Sequence, residues 1–455
     1  MSRPEPPLPL ADLEAGVRDG SIDTVLVAMT DMQGRLQGKR CSAEHFLHDV
    51  ATQGAEACNY LLGVDVDMDT VAGYDLTSWE RGYGDFTLCP DLATLRLVPW
   101  HDATALVLCD VLHGDGTPVA PSPRQVLRRQ VERLAERGLA ADVGTELEFI
   151  VFRDTYEEAW TRGYRDLTPA NLYNVDYSLL GTARVEPLLR RIRNDMTTAG
   201  MTVESAKGEC NLGQHEITFR YADALTTCDH HSVYKTGAKE IAHQEGCSLT
   251  FMAKFDEREG NSCHVHVSLR DAGSDEPVFA GRGPYGCSPL MEHFLAGQLA
   301  CLRALTAWFA PNVNSYKRFV PWSFAPTAVA WGVDNRTCAF RVVGHGPSVH
   351  VETRVPGGDV NPYLAVAALI AAGLHGIDAE LPLEPPLAGN AYTSDAPRVP
   401  STLTAAADLF EHSTVARAAF GDDVVDHYVH AARVELAAFE SSVTDWERFR
   451  GFERL

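Results

Sequence analysis

Over the first 115 residues the apolar positions fall in short runs rich in β-branched side chains, such as Ile22 to Met29, and Ala105 to Leu112 ahead of the turn His113-Gly114-Asp115-Gly116. Runs of this length bounded by turn residues predict strands, and together a small, mainly β unit. From Ser122 the period lengthens. Ser122 suits an N-cap, Pro123 a first helical position, and Val126, Leu127, Val131 and Leu134 recur on one helical face until Gly138. Strand-like pieces then alternate with longer helical ones, among them Val185 to Ala199, Pro289 to Phe309, and Pro362 to Leu374 behind Asn361. The pattern changes just before Ser122, and the chain divides into an N-terminal unit over residues 1–118 and a larger α+β unit over 119–455. No repeat is evident, and Pro382 to Pro386 reads as a loop.

Four segments of the larger unit carry ionisable side chains two residues apart, which on a strand places them on one face with the intervening apolar residue facing the core. They are Glu146-Leu147-Glu148, His264-Val265-His266 leading to Ser268, Glu352-Thr353-Arg354, and the stretch from Glu209 to Glu216 with a carboxylate at each end. One such pair is ordinarily a solvated strand face. Four in one unit point to a site. Carboxylates with one or two histidines suit magnesium or manganese, and the absence of any CxxC pair argues against structural zinc.

With 455 residues, 45% of them hydrophobic, the chain has the composition of a globular protein with a sizeable core. Its net charge of −23 repels phosphate backbones and anionic lipid, which sets nucleic-acid and membrane-surface roles aside. The 11 cysteines are scattered and odd in number, as in reduced cytosolic proteins. Met1 to Leu10 is proline-rich without the apolar segment of an export signal, and the apolar run around Tyr363 to Leu374 is too short to span a bilayer. A cytoplasmic location is expected, and the sequon at Asn335 reads as chance.

Arg318, Arg336, Arg341 and Arg354 lie close in sequence to the ligand segments and can fork onto carboxylate or phosphate oxygens. Metals with arginines suggest phosphoryl transfer. There is neither a GxxxxGK[ST] loop nor a GxGxxG after a strand, so ATP would not sit in a P-loop, kinase or Rossmann cradle.

In order and spacing, from Gly144 to about Arg354, these segments resemble the glutamine synthetase superfamily. The resemblance implies a small β-grasp-like domain followed by a catalytic domain built on a curved antiparallel sheet with surrounding helices. It implies ATP and two or more divalent cations, Mg or Mn, one held among Glu148, Glu209 and Glu216 and the other among Glu146, His264 and Glu352. Glu204, His266, Ser268 and Arg341 correspond to nucleotide contacts, Gly260 and Arg318 to positions on glutamate, Arg336 and Arg341 to arginines on the transferring phosphate, and Arg354 to the arginine on the side-chain carboxylate. The implied reaction phosphorylates the glutamate side chain to an acyl phosphate, which an amine then displaces.

The departures concern the amine. Ammonia-using members carry a glutamate in the flap after the Tyr-Lys-Arg segment, where this chain has Phe324. They carry an Asp-Gly-Ser-Ser stretch in the small domain, whereas Asp19-Gly20-Ser21 here precedes the first strand and lacks the second serine. An aromatic flap residue supplies an apolar or cation-π wall suited to the carbon chain of an alkylamine; the alternative, that Phe324 merely packs the loop, does not explain the simultaneous loss of the aspartate motif. Glu259 stands where ammonia-using members commonly have asparagine, and either helps hold an amine or is a solvated loop carboxylate. The pattern is similar to the γ-glutamylamine synthetases, with ethanolamine slightly favoured over polyamines and other alkylamines because no acidic pair replaces the missing anions.

The same resemblance implies a homo-oligomer of two stacked hexameric rings, with the small domain of one copy walling the amine pocket of the next; Asn59, Tyr60 and Trp79 are the candidates for that wall. Tyr392 lies where some bacterial members are adenylylated, but the Asp-Leu-Pro that follows that tyrosine is missing, so adenylylation is not expected. Three rivals remain: an ammonia-dependent synthetase, a catalytically silent member, which the complete ligand set opposes, and a phosphagen-type kinase, which gains nothing from the His264-His266 segment.

Overall fold

The computed structural model describes residues 7–455; the start of the proline-rich opening, residues 1–6, lies outside the described residues. A helix over Leu10–Asp19 stops at Gly20, whose φ of 80° is the left-handed cap that glycine accepts without steric cost. The N-terminal sheet has six strands. Along it lie Leu36–Ser42, Thr24–Thr30, Thr104–Leu112, Asp85–Pro90 and Ala55–Cys58, with Arg96–Leu97 also on Thr104–Leu112. Thr24–Thr30 and Thr104–Leu112 pair in parallel, Val25 opposite Ala105, and the other pairings are antiparallel. Thr104–Leu112 is buried over six consecutive residues because it is central, which is why its sequence reads as an unbroken apolar run.

The second sheet has nine strands and holds the chemistry. Its order is Trp331–Val333, Phe340–Val343, His350–Thr353, Cys263–Asp271, Leu139–Phe152, Gln214–Phe219 and Val203–Gly208, and the long strand Leu139–Phe152 also takes Ala222–Asp223 and Ser248–Thr250. It departs from the antiparallel expectation at one place, where Trp331–Val333 runs parallel to Phe340–Val343. Strands only 3 and 4 residues long are retraced by the short connection over 334–339, so no crossover helix is needed.

Helices Pro289–Phe309 and Pro362–Asp378 pack closely through small residues: a Cβ at Gly297 would stand 2.1 Å from the Ala372 carbonyl oxygen. One hydrophobic core extends from Val25 and Leu106 in the N-terminal sheet to Leu147, Val265 and Leu369. Helix boundaries differ from expectation in detail. Pro123–Ala135 begins without a cap from the Ser122 side chain, and Pro362–Asp378 runs past Leu374. Helix Ala224–Gln244 has no counterpart in the apolar pattern, since Thr227, Asp229, His231 and Ser232 are buried beside its apolar residues and blur the period. Among the described residues no helix is long and apolar enough to cross a membrane.

Candidate active site

Register aligns the ionisable positions across five neighbouring strands. His264 lies opposite Glu146, Glu148 opposite Glu216, His266 opposite Glu352 and Arg341 opposite Glu352. The residues between them, Leu147, Val265, Ile217 and Val351, are at most 1% exposed and anchor the other face in the core. Strand alternation therefore turns four sequence pairs into one surface.

Two clusters stand on it. Glu148, Glu209 and Glu216 each bring a carboxylate oxygen within 4.8 Å of the others, and Glu146, His266 and Glu352 do the same with an imidazole nitrogen in place of one oxygen. His264 sits against the second pair of acids, Nδ1 3.4 Å from Glu146 Oε2 and 3.5 Å from Glu352 Oε1. Both imidazoles thus reach the Glu146–Glu352 pair, and the trio that closes within 4.8 Å contains His266, not His264. Three carboxylates fit a hard cation, and two carboxylates with an imidazole fit the same ions or manganese. His266 Nε2 is buried without an aligned hydrogen-bond partner, 3.2 Å from Glu146 Oε1, as in a donor set built for a cation.

The surroundings fix these groups. Glu148 accepts from the Ser262 backbone N–H at 2.8 Å, from Ser262 Oγ at 2.5 Å and from Gln214 Nε2 at 3.1 Å. Lys207 pairs closely with Glu209. His350 donates from Nδ1 to the Ser348 carbonyl at 2.8 Å, leaving Nε2 to accept from His266 Nδ1 at 3.1 Å. Burial pushes the Glu216 carboxyl up to about 7, aided by the negative charges of Glu146 and Glu148. At Glu146 and Glu352 burial acts in the same sense but loses. His264 and His266 hold Glu146 well below the usual carboxylate range, and His264, Arg354, His266 and Arg341 hold Glu352 at about 2. Burial and the Arg354 charge lower His264; burial acts likewise on His266, but Glu146 outweighs it and raises that residue.

The arginines are arranged around Glu352. Arg354 donates to its Oε1 at 2.5 Å and Arg341 to its Oε2 at 3.0 Å, and Arg341 also pairs with Asp334. Arg318 is buried and gives one N–H from each terminal nitrogen to the carbonyls of Val355 and Arg354, which leaves its other N–H groups free to face a ligand. Gly260 lies flat against it: a Cβ there would stand 3.1 Å from Arg318 Cγ and 2.1 Å from the Ala253 carbonyl oxygen. The Glu259 backbone carbonyl accepts from Asn211 Nδ2.

Other expected residues stand away from the two clusters. Glu204 is exposed on Val203–Gly208, Ser268 lies opposite Asp142 on Cys263–Asp271, and Arg336 is exposed in the turn before Phe340. Phe324 is 57% exposed and adopts a φ of 58°, two residues after Trp322 at 72°. Asn59, Tyr60 and Trp79 lie in the N-terminal unit, where Asn59 accepts from Thr77 Oγ1 and Trp79 meets Tyr83 edge-on. The pattern of paired charges did not bring out Ser262, Lys207, Gln214 or His350. The last three lie two residues from Glu209, Glu216 and Glu352 and so share their face, a signal the i, i+2 rule contains.

The catalytic-domain model described as "Glutamine synthetase, catalytic domain" matches residues 120–450. A gamma-glutamylethanolamide synthetase of Streptomyces coelicolor is 65% identical over 450 residues, 99% of this chain and 97% of the relative. A glutamate–isopropylamine ligase from a Pseudomonas species is 38% identical over 94% of this chain and 95% of its own. Among solved structures, a GmaS chain in complex with ADP superposes with a TM-score of 0.86 at 28% identity, covering 98% of this chain and all of the other.

Proposed function

The chain belongs to the glutamine synthetase family, and from that membership we propose that it is an ATP-dependent ligase joining a primary amine to the side-chain carboxylate of L-glutamate, with ethanolamine as the preferred amine. The products are the γ-glutamylamide, ADP and phosphate. The observation that carries the choice of amine is the full-length likeness to the Streptomyces ethanolamide-forming relative, and Phe324 in place of a flap glutamate agrees with it.

On this reading Glu148, Glu209 and Glu216 hold one divalent cation and Glu146, His264 and Glu352 the other, with His266 beside them. Bound there, the cations supply charge neutralisation to phosphate oxygens. The remaining N–H groups of Arg318 take the α-carboxylate of glutamate, with Gly260 leaving room beside them. Arg354 turns from Glu352 towards the side-chain carboxylate, and Arg336 and Arg341 neutralise the phosphoryl group as it moves from ATP to form γ-glutamyl phosphate. Glu204, His266 and Ser268 face the nucleotide. Phe324 walls the amine, and Glu259 draws its positive end. Once the ammonium has given up a proton to solvent, the neutral amine attacks the acyl carbon, the bond to phosphate breaks, and the second N–H proton leaves with the departing phosphate.

The reading extends to a cytoplasmic enzyme assembled as two hexameric rings, in which Asn59, Tyr60 and Trp79 of a neighbouring copy complete the pocket; light scattering that returned a monomer would remove that part. The function is tested by supplying glutamate, ATP and Mg or Mn with ethanolamine, isopropylamine, methylamine, a polyamine or ammonium, and measuring phosphate and the amide product. Ethanolamine should give the highest kcat/KM. Turnover with ammonium alone would overturn the proposal.

A further inference from the structure

Tyr392 is unused by the chemistry above, and its surroundings give it a task. Its hydroxyl donates to the Ala325 carbonyl at 3.1 Å, and its ring lies 5.6 Å from that of Trp322 at 44°. Both contacts fall on the flap that carries Phe324. That segment is strained, because Trp322 and Phe324 take φ values of 72° and 58° without being glycine, a conformation that persists only where neighbours hold it. Trp322 is itself 70% exposed, and the Tyr392 ring is a neighbour that packs on it.

The turn bearing Tyr392 is held by hydrogen bonds on both sides. Arg398 donates to the carbonyls of Ala391, Tyr392 and Ser394 at 3.1, 3.2 and 2.6 Å. On its other side Ala391 N–H donates to Thr337 Oγ1 at 2.9 Å, and Asn335 Nδ2 donates to the Gly389 carbonyl at 2.8 Å. Arg336, assigned above to the transferring phosphate, lies between those two residues. The base of the flap is stapled to the same segment by Val329 N–H on the Pro397 carbonyl and Val399 N–H on the Thr327 carbonyl. Burial raises the Tyr392 phenol, while the charges of Arg354 and Arg318 draw it down, so its hydroxyl lies within electrostatic reach of the site.

We propose that Tyr392 is a positioning residue that latches the flap bearing Phe324 and ties it mechanically to the Arg336 turn, so that amine capture depends on the hydroxyl of Tyr392. The assignment rests on the ligase reading for its link to the amine, while the latch itself is a statement about the flap.

The test uses the full-length enzyme and Tyr392→Phe, which keeps the ring against Trp322 and removes the hydrogen bond alone. Hydrogen exchange over residues 319–326 should quicken about three- to tenfold, the range one net hydrogen bond allows. KM for ethanolamine should rise by a similar factor with KM for ATP and glutamate within about twofold of native, and phosphate release should exceed amide formation as water intercepts the acyl phosphate. Trp322→Ala, at an exposed position, should loosen the same segment and serves if Tyr392→Phe does not fold. Unchanged exchange in the variants overturns the latch, and faster exchange with native KM and coupling overturns its part in amine capture. Exchange requires no amine, so a native enzyme that makes no amide defeats the ligase reading while leaving the latch to be judged by the exchange data.

Discussion

In its proposed role as a cation ligand Glu216 must first release a proton, and its environment makes that release late. Its carboxyl titrates near 7, against an ordinary 4.5, because it is buried beside Glu146 and Glu148. Between those two values the folded chain keeps a proton that the unfolded chain has lost, so this residue's contribution to the stability of the metal-free protein is fully present below about 4.5 and disappears as pH rises through about 7. Metal binding has the opposite slope. Calorimetric titration with Mn should show affinity rising about tenfold per pH unit up to neutrality and levelling beyond it, with close to one proton released per ion at pH 6. Glu216→Gln should abolish that slope along with most of the affinity. A pH-independent affinity in the native chain would contradict both the assignment and the shift.

At the scale of elements, the site depends on strands whose far faces are locked, and the locking extends into the helices behind them. Gly297 on Pro289–Phe309 faces the Ala372 carbonyl and the backbone of Gly376 on Pro362–Asp378, at separations that no side chain can enter. Gly297→Val should force the helices apart and destabilise by about 1–3 kcal/mol, the usual result of overpacking. Thermal unfolding measures it. The two clusters proposed to hold cations lie on the strands of the second sheet, so Mn affinity at temperatures where the variant is folded should stay near native, and a large loss would mean that helix packing sets strand register.

Across the whole molecule one buried cation joins the N-terminal sheet to the catalytic unit. Arg124 pairs with Asp91 at 2.9 Å, Asp110 at 2.5 Å and Asp229 at 2.9 Å, while Tyr363 Oη donates to Asp229 at 2.6 Å. These residues come from the helix Pro123–Ala135, the N-terminal sheet and its flanking turn, and the helices Ala224–Gln244 and Pro362–Asp378. Arg124→Met leaves buried carboxylates uncompensated, and should cost about 3–5 kcal/mol. Denaturant unfolding followed by intrinsic fluorescence checks the cost, and an effect below about 1 kcal/mol would show that Arg128, which also reaches Asp91 and Asp110, takes over the pairing.

What the sequence determined by itself was local and periodic. The i, i+2 spacing of Glu146 with Glu148, His264 with His266 and Glu352 with Arg354 shows which side chains share a face, because a strand's geometry allows nothing else, and proline, glycine and apolar period delimit helices such as Pro289–Phe309 to the residue. The tertiary structure decided what no spacing encodes. Register set His264 opposite Glu146 and Glu148 opposite Glu216, a choice made by packing in the shared core over separations of more than a hundred residues and of about seventy. It also brought Ser262 to Glu148, His350 to His266 and Tyr392 to the flap, contacts between segments whose own sequences are compatible with many partners. Chain periodicity fixes the direction of a side chain, and only the burial of the common core fixes what stands opposite it.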